Sequence, residues 1–191
     1  MPGVSGGDGA SARRNGTRAV VSGAVTVRVA TPADVPAVTA IYNAGIRGRR
    51  ATFETVERTP TNVHAWHDDP HPFLVATAPE DTASVLGWVR ASSYRPRACY
   101  AGIGDFSVYV AEHARGQRVG NALLAAFLPA CSDAGLWKIV SRLFLDNVAS
   151  RALCARHGFR EVGTYEKHAQ LDGVWRDVVI VERLLPTALT P

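Results

Sequence analysis

Asp105-Phe-Ser-Val-Tyr-Val-Ala-Glu-His-Ala-Arg115-Gly-Gln-Arg-Val-Gly120-Asn-Ala-Leu-Leu124 reads as a strand, a turn and a helix in direct succession. Asp105, Ser107 and Tyr109 alternate with Phe106, Val108 and Val110, the period of an extended strand whose two faces differ. A short basic turn with glycine follows, and an amphipathic helix begins at Val119. The first N–H groups of such a helix have no internal partner and sit at the positive end of its dipole, so they can hold a diphosphate without a cationic side chain. Gly116 and Gly120 allow close approach to that site.

Upstream, Val25, Val27 and Val29 alternate with Thr26, Arg28 and Ala30 as in a half-buried strand. Thr31-Pro32-Ala33-Asp34 has the form of a capped helix start with proline in its first turn. Val35, Val38, Ile41 and Tyr42 then recur at helical spacing, and Gly45 and Gly48 are expected to end that helix. A second helix is expected through Thr61–Asp68, then strands at Phe73–Thr77, Val85–Ala91 and, longer, Tyr100–Ala111. The helix at Val119–Ala134 stops at Gly135. It is followed by a strand at Lys138–Phe144, a helix at Val148–His157 closed by Gly158, and strands near Phe159–His168 and Trp175–Leu184. Strands interrupted by helices predict a mixed α/β sheet in one domain over residues 25–186, with a short C-terminal tail at 187–191.

Residues 1–24 are rich in Gly, Ser, Ala and Arg with no periodic apolar face, and are expected to be disordered. A chain of 191 residues with 47% hydrophobic side chains supports one core. No run approaches the roughly 18 apolar residues of a membrane helix, so no membrane partner is expected. The formal charge is +4, but Arg13, Arg14 and Arg18 against Asp8 lie in the first 24 residues, leaving 18 basic against 16 acidic residues elsewhere. Without a basic helix or an aromatic-plus-lysine strand, that balance argues against nucleic acid. Cys99, Cys131 and Cys154 are odd in number, widely spaced and set in apolar runs, which predicts reduced core thiols and a cytoplasmic setting.

Arg115-Gly-Gln-Arg118-Val-Gly120 resembles the coenzyme A loop of the GNAT N-acetyltransferases, Gln/Arg-x-x-Gly-x-Gly/Ala, with Arg118 standing where the pattern has its first glycine. Asn147-Val-Ala-Ser150-Arg-Ala-Leu-Cys154-Ala-Arg-His-Gly158-Phe159 resembles a second segment of that family. Ala40-Ile-Tyr-Asn, Arg50-Ala-Thr-Phe53-Glu-Thr, Tyr94-Arg-Pro-Arg-Ala-Cys-Tyr100 and Tyr165-Glu-Lys-His-Ala-Gln-Leu-Asp-Gly-Val-Trp-Arg-Asp177 narrow the likeness to phosphinothricin acetyltransferases and their arsinothricin-acetylating relatives. The resemblance spans about Val27 to Leu185. It implies a GNAT-like α/β fold, a mixed, mostly antiparallel twisted sheet of six to seven strands flanked by about four helices. It also implies acetyl-CoA as co-substrate, transfer to the α-amine of a small anionic amino-acid-like molecule, and a homodimer.

The same resemblance assigns the coenzyme to Val108, Tyr109, Val110, Arg115, Gly116, Gln117, Arg118, Val119, Gly120, Asn121, Asn147 and Ser150. Backbone N–H groups near Val108 and Val110, freed by a local splay of the strand, are expected to polarise the thioester carbonyl. The acceptor falls to Phe53, Arg95, Arg97, Tyr100 and Ser107. Arg95-Pro-Arg97 has a physical logic of its own, since a stiff proline holds two guanidiniums as a fork for a phosphinate, arsonate or carboxylate. Asp105, where the family has Glu, is the expected proton acceptor. An α-amine has a pKa near 8 and is mostly protonated at neutral pH, so something must take its proton before attack.

Other features are read as structural. His64, His67 and His71 lack a carboxylate or thiol to complete a metal set, and Pro70 and Pro72 break any shared helix, so no metal is expected. Cys131 and Cys154 read as packing rather than nucleophiles, and Trp175 and Asp177 as residues that fix the last hairpin. Two other functions fit the same text: a broader amino-acid acetyltransferase for methionine sulfoximine or sulfone, and a non-catalytic acetyl-CoA sensor.

Overall fold

A computed structural model describes residues 20–22 and 25–186. Thr31 is extended, and the Asp34 carboxylate accepts from its backbone N–H at 2.7 Å while taking both Arg28 guanidinium nitrogens at 2.7 Å. This clasp turns strand β2 (Val25–Val29) into helix α1 (Val35–Arg47). The helix runs through Gly45 and stops at Gly48. A Cβ on Gly45 would lie 2.6 Å from the Tyr109 ring, so that glycine is a place of close packing rather than a terminator.

The expected second helix divides into α2 (Pro60–His64), capped by Thr59, and a 3-10 turn over Ala65–Asp68. Asp69 precedes Pro70, which disfavours helical backbone, and its ψ of 129° ends the turn. Strands β3 (Phe73–Thr77) and β4 (Val85–Ser93) follow. The next strand, β5 (Ile103–Val110), starts later than expected because Ala98–Tyr100 form a 3-10 turn. Helix α3 (Val119–Asp133), β6 (Lys138–Phe144), α4 (Val148–Arg156), β7 (Arg160–Leu171) and β8 (Val174–Leu184) complete the chain.

One sheet of eight strands has the order β1-β2-β3-β4-β5-β6-β8-β7, where β1 is the three-residue strand Val20–Ser22. That edge strand pairs with β2 inside the stretch expected to be disordered and takes the sheet past the expected six to seven strands. The rest of that stretch, residues 1–19 and 23–24, and the tail at 187–191 lie outside the described residues. Every strand pair is antiparallel except β5 with β6.

Helix α3 buries Leu123, Leu124 and Phe127 against one face of the sheet, where Phe106 meets both Phe127 and Phe159. On the other face Tyr109 stacks on Trp88 at 4.9 Å and meets the edge of Tyr42 from α1 at 5.0 Å. Strand β5 is therefore anchored on both sides, and the alternation of its side chains decides which group faces which layer. Cys131 and Cys154 are buried, whereas Cys99 is exposed on the 3-10 turn before β5, contrary to the expectation of a core thiol.

Candidate active site

The parallel pairing of β5 with β6 covers only Ile103↔Lys138, Gly104↔Ile139 and Asp105↔Val140. Beyond Asp105 the two strands separate while β5 stays registered with β4 as far as Val110. The Phe106 carbonyl still accepts from Ser141 Oγ at 2.9 Å on the β6 side, and Ala111 N–H donates to Leu86 on the β4 side. Backbone direction alternates along a strand, so the amides of Val108 and Val110 turn toward the gap left by β6.

The turn after β5 leads to the start of α3. Gly116 (φ 77°) and Arg118 (φ 62°) both take the left-handed conformation, Arg118 as the residue that opens the helix. The backbone demand accounts for a glycine in the family pattern, and Arg118 meets it at the cost of a non-glycine residue in a sparsely populated region. Its side chain is exposed rather than laid into the core. Val119 is buried, Gly120 is packed so tightly that a Cβ would sit 3.0 Å from Leu153, and Asn121 Oδ1 lies 3.0 Å from His157 Nε2. These contacts fix the first turn of α3 against α4. At the start of α4, Asn147 accepts from Ser150 N–H at 3.1 Å and donates to the Arg50 carbonyl at 3.3 Å. A helix start with two left-handed residues before it, beside amides facing a strand gap, suits a diphosphate with a linear arm, so the residues present fit coenzyme A.

Asp105 is partly buried, and its Oδ2 lies 2.9 Å from Arg142 Nη1. Burial pushes its carboxyl above the ordinary value, and the nearby guanidinium holds that rise back. Arg142 is thus the ion-pair partner of Asp105. It lines a cavity of about 1160 Å³ together with Tyr94, Arg95, Tyr100, Lys138 and residues of β7. Thus Arg95 and Tyr100 join this cavity, while Arg97 is exposed and does not line it. The Arg95 guanidinium rests 5.2 Å from the centre of the Tyr94 ring. Ser107 lies opposite Arg90 in the β4–β5 register, outside this cavity. Phe53 also lies outside it, its ring 4.7 Å from Phe144 in a separate apolar cluster.

Sequence reasoning missed Arg142 and Lys138. Only the register Asp105↔Val140, between strands separated in the chain by α3, puts their side chains on the Asp105 face. Cys154 on α4 is buried and its thiol is pushed up to about 12, mainly by desolvation, which keeps it protonated and inert at neutral pH. Among the described residues no three His, Cys, Asp or Glu side chains gather as a metal site. His71 instead pairs with Asp69 at 2.5 Å, and Asp69 with Arg90 at 3.1 Å. Asp177 accepts from Lys167 N–H at 2.7 Å across the bulge of β7, whereas Trp175 is exposed.

The model of the acetyltransferase (GNAT) family matches residues 39–159. The chain belongs to the GNAT acetyltransferase family. This acetyltransferase uses acetyl-CoA as its co-substrate, and no helix among its described residues is long and apolar enough to cross a membrane. It is 37% identical over 168 residues to the phosphinothricin N-acetyltransferase of Alcaligenes faecalis, covering 85% of this chain and 83% of that one. It is 31% identical over 171 residues to the L-methionine sulfoximine/L-methionine sulfone acetyltransferase of Pseudomonas aeruginosa, covering 87% and 98%. Its fold superposes with a TM-score of 0.81 on a phosphinothricin acetyltransferase from Sinorhizobium meliloti solved in complex with acetyl-CoA. That structure is 26% identical, and the match covers 88% of this acetyltransferase and 93% of that chain.

Proposed function

We propose that the acetyltransferase acts on the α-amine of a small anionic amino-acid-like acceptor, such as phosphinothricin or arsinothricin, with Asp105 as proton acceptor. The observation that carries this reading is the cavity that Arg95 and Arg142 line beside the Asp105 carboxylate. A cationic wall suits a second acidic group on the acceptor, and a carboxylate raised by burial is better matched to an ammonium proton than an ordinary one.

Acetyl-CoA, when bound, supplies the acyl group as an activated thioester. The turn from Arg115 to Asn121 holds its diphosphate, Asn147 and Ser150 hold its pantetheine arm, and the amides of Val108 and Val110 face its carbonyl. Most of the remaining rate enhancement is positioning of the amine by the cavity wall. A second copy covering the exposed Val174, Trp175 and Leu184 of β8 fits a homodimer. Work in a reducing cytoplasm fits Cys131 and Cys154, which are buried and unpaired.

Thiol release from acetyl-CoA is expected with phosphinothricin or arsinothricin as acceptor and to be far slower with common amino acids. If methionine sulfoximine and methionine sulfone are turned over best, the alternative reading replaces this one, and the Pseudomonas aeruginosa relative is what favours it. No thiol release with any amine acceptor would leave only a sensor of acetyl-CoA.

Arg95→Ala is expected to raise KM for phosphinothricin roughly two- to fivefold, the scale of an exposed ion pair. Arg97→Ala is expected to raise it less, because Arg97 stands outside the cavity. Steady-state kinetics on the two single variants test this, and the reverse order would mean that the 94–100 turn rearranges on binding.

A further inference from the structure

We propose that Arg142 is the receptor for the acceptor's α-carboxylate, so that the Asp105–Arg142 ion pair opens to take both ends of an amino-acid zwitterion at once. The inference rests on the reading that the acceptor is an α-amino acid, and it names which part of that molecule the site demands.

Three observations carry it. Asp105 and Arg142 face each other at 2.9 Å across the last registered position before β5 and β6 separate, so the pair stands at the root of the strand gap. Arg142 also lines the large cavity, with its side chain 44% exposed against 24% for Asp105, so an incoming anion can reach the guanidinium while it is still paired. A carboxylate and a guanidinium in contact are the charge-reversed image of an ammonium and a carboxylate joined through one carbon. An α-amino acid can therefore replace one ion pair by two, ammonium on Asp105 and carboxylate on Arg142, leaving neither protein charge without a partner.

That exchange makes the α-carboxylate a condition of efficient reaction. An amine whose carboxyl is masked as an amide cannot draw Arg142 away, and the guanidinium stays on Asp105 Oδ2, where it holds down that carboxylate's affinity for the ammonium proton. Arg95, farther along the same wall, is left for the distal phosphinate or arsonate. The other charged groups lining the cavity are Glu166, Lys167, His168 and Glu182, the last paired with both Lys138 and Arg160. Among all of these, Arg142 is the group whose charge acts on the Asp105 carboxyl.

The test compares phosphinothricin with its α-carboxamide, in which only the α-carboxylate is neutralised. The wild-type enzyme is expected to prefer the acid by about tenfold or more in kcat/KM, the lower end of the range for a charge-assisted hydrogen bond. Arg142→Gln is expected to bring the two acceptors within about twofold of each other by removing that bond, and Arg142→Lys to restore part of the preference. Loss of Arg142 is also expected to move the acid limb of the pH–rate profile to higher pH, because the cation that restrains Asp105 is gone. A merely structural role would slow both acceptors alike and leave the preference for the acid in place.

Equal turnover of acid and amide by the wild type, or an unchanged preference in Arg142→Gln, overturns the proposal. Calorimetric titration of the wild-type and Arg142→Gln protein–CoA complexes with the two compounds decides the same question without turnover. Tighter binding of the acid by the wild type that is lost in Arg142→Gln supports the proposal, and equal binding by the wild type or an unchanged preference in the variant overturns it. Absence of acetyl transfer to any amino acid would count against the functional reading, and the titration would still decide the role of Arg142.

Discussion

Asp105→Asn is expected to lower kcat by roughly a hundredfold to ten-thousandfold, the range that a positioned general base supplies, with a much smaller change in acceptor KM. The substitution keeps the shape of the side chain and removes its capacity to hold a proton. Because burial raises the Asp105 carboxyl above its ordinary value, wild-type kcat should fall as pH drops through that raised pKa and hold above it until other groups titrate. The variant should lack this limb. A raised folded-state pKa means that the ionised carboxylate costs folding stability above its unfolded value and ceases to do so at lower pH. Asparagine carries no such charge, and Arg142 is exposed enough to be solvated alone, so the loss of rate should occur in a folded protein. Thiol-release kinetics from pH 6 to 9, with a melting curve for each variant, check both halves. A kcat in Asp105→Asn equal to that of the wild type across that range would remove Asp105 from the chemistry.

Phe127→Ala is expected to destabilise the protein by about 3–5 kcal/mol, the usual cost of truncating a buried aromatic ring. Phe127 is fully buried and its ring lies 5.9 Å from that of Phe106, which in turn meets Phe159 at 5.1 Å. These three rings join α3, β5 and the start of β7 behind the strand that carries Asp105. At roughly 2–4 °C per kcal/mol for a chain of this size, Tm should fall by about 6–20 °C. Below the transition, KM for acetyl-CoA should change little if the α3 start is held mainly by Val119, Gly120 and Asn121. A Tm shift under about 2 °C would mean that the site relaxes and closes, in which case this aromatic junction is not what holds β5 in place.

Much of the fold was legible because its determinants are local. Strands β3 and β6 and the start of α3 coincide with the sequence reading, each marked by an apolar period bounded by a glycine, a proline or a basic turn. Errors fell where packing overrides a local signal. Gly45 reads as a stop, yet it lies inside α1 because the Tyr109 ring needs the space that a Cβ would occupy. Tyr100 reads as strand, yet the chain turns there before β5 begins. Cys99 is read as set in an apolar run and so as core, yet that turn carries it to the surface.

The primary structure by itself determined a helix start at Val119 behind a basic, glycine-containing turn, a strand with Asp105, Ser107 and Tyr109 on one face, and membership in the family. Spacing along one segment is enough to specify each of these. Only the tertiary structure decided that Asp105 faces Arg142, that Arg95 enters the cavity while Arg97 does not, and that Val108 and Val110 turn their amides into a gap. The physical reason is register. A parallel pair joined through a helix has no sequence offset that can be read in advance, and one residue of slip would carry Arg142 to the opposite face.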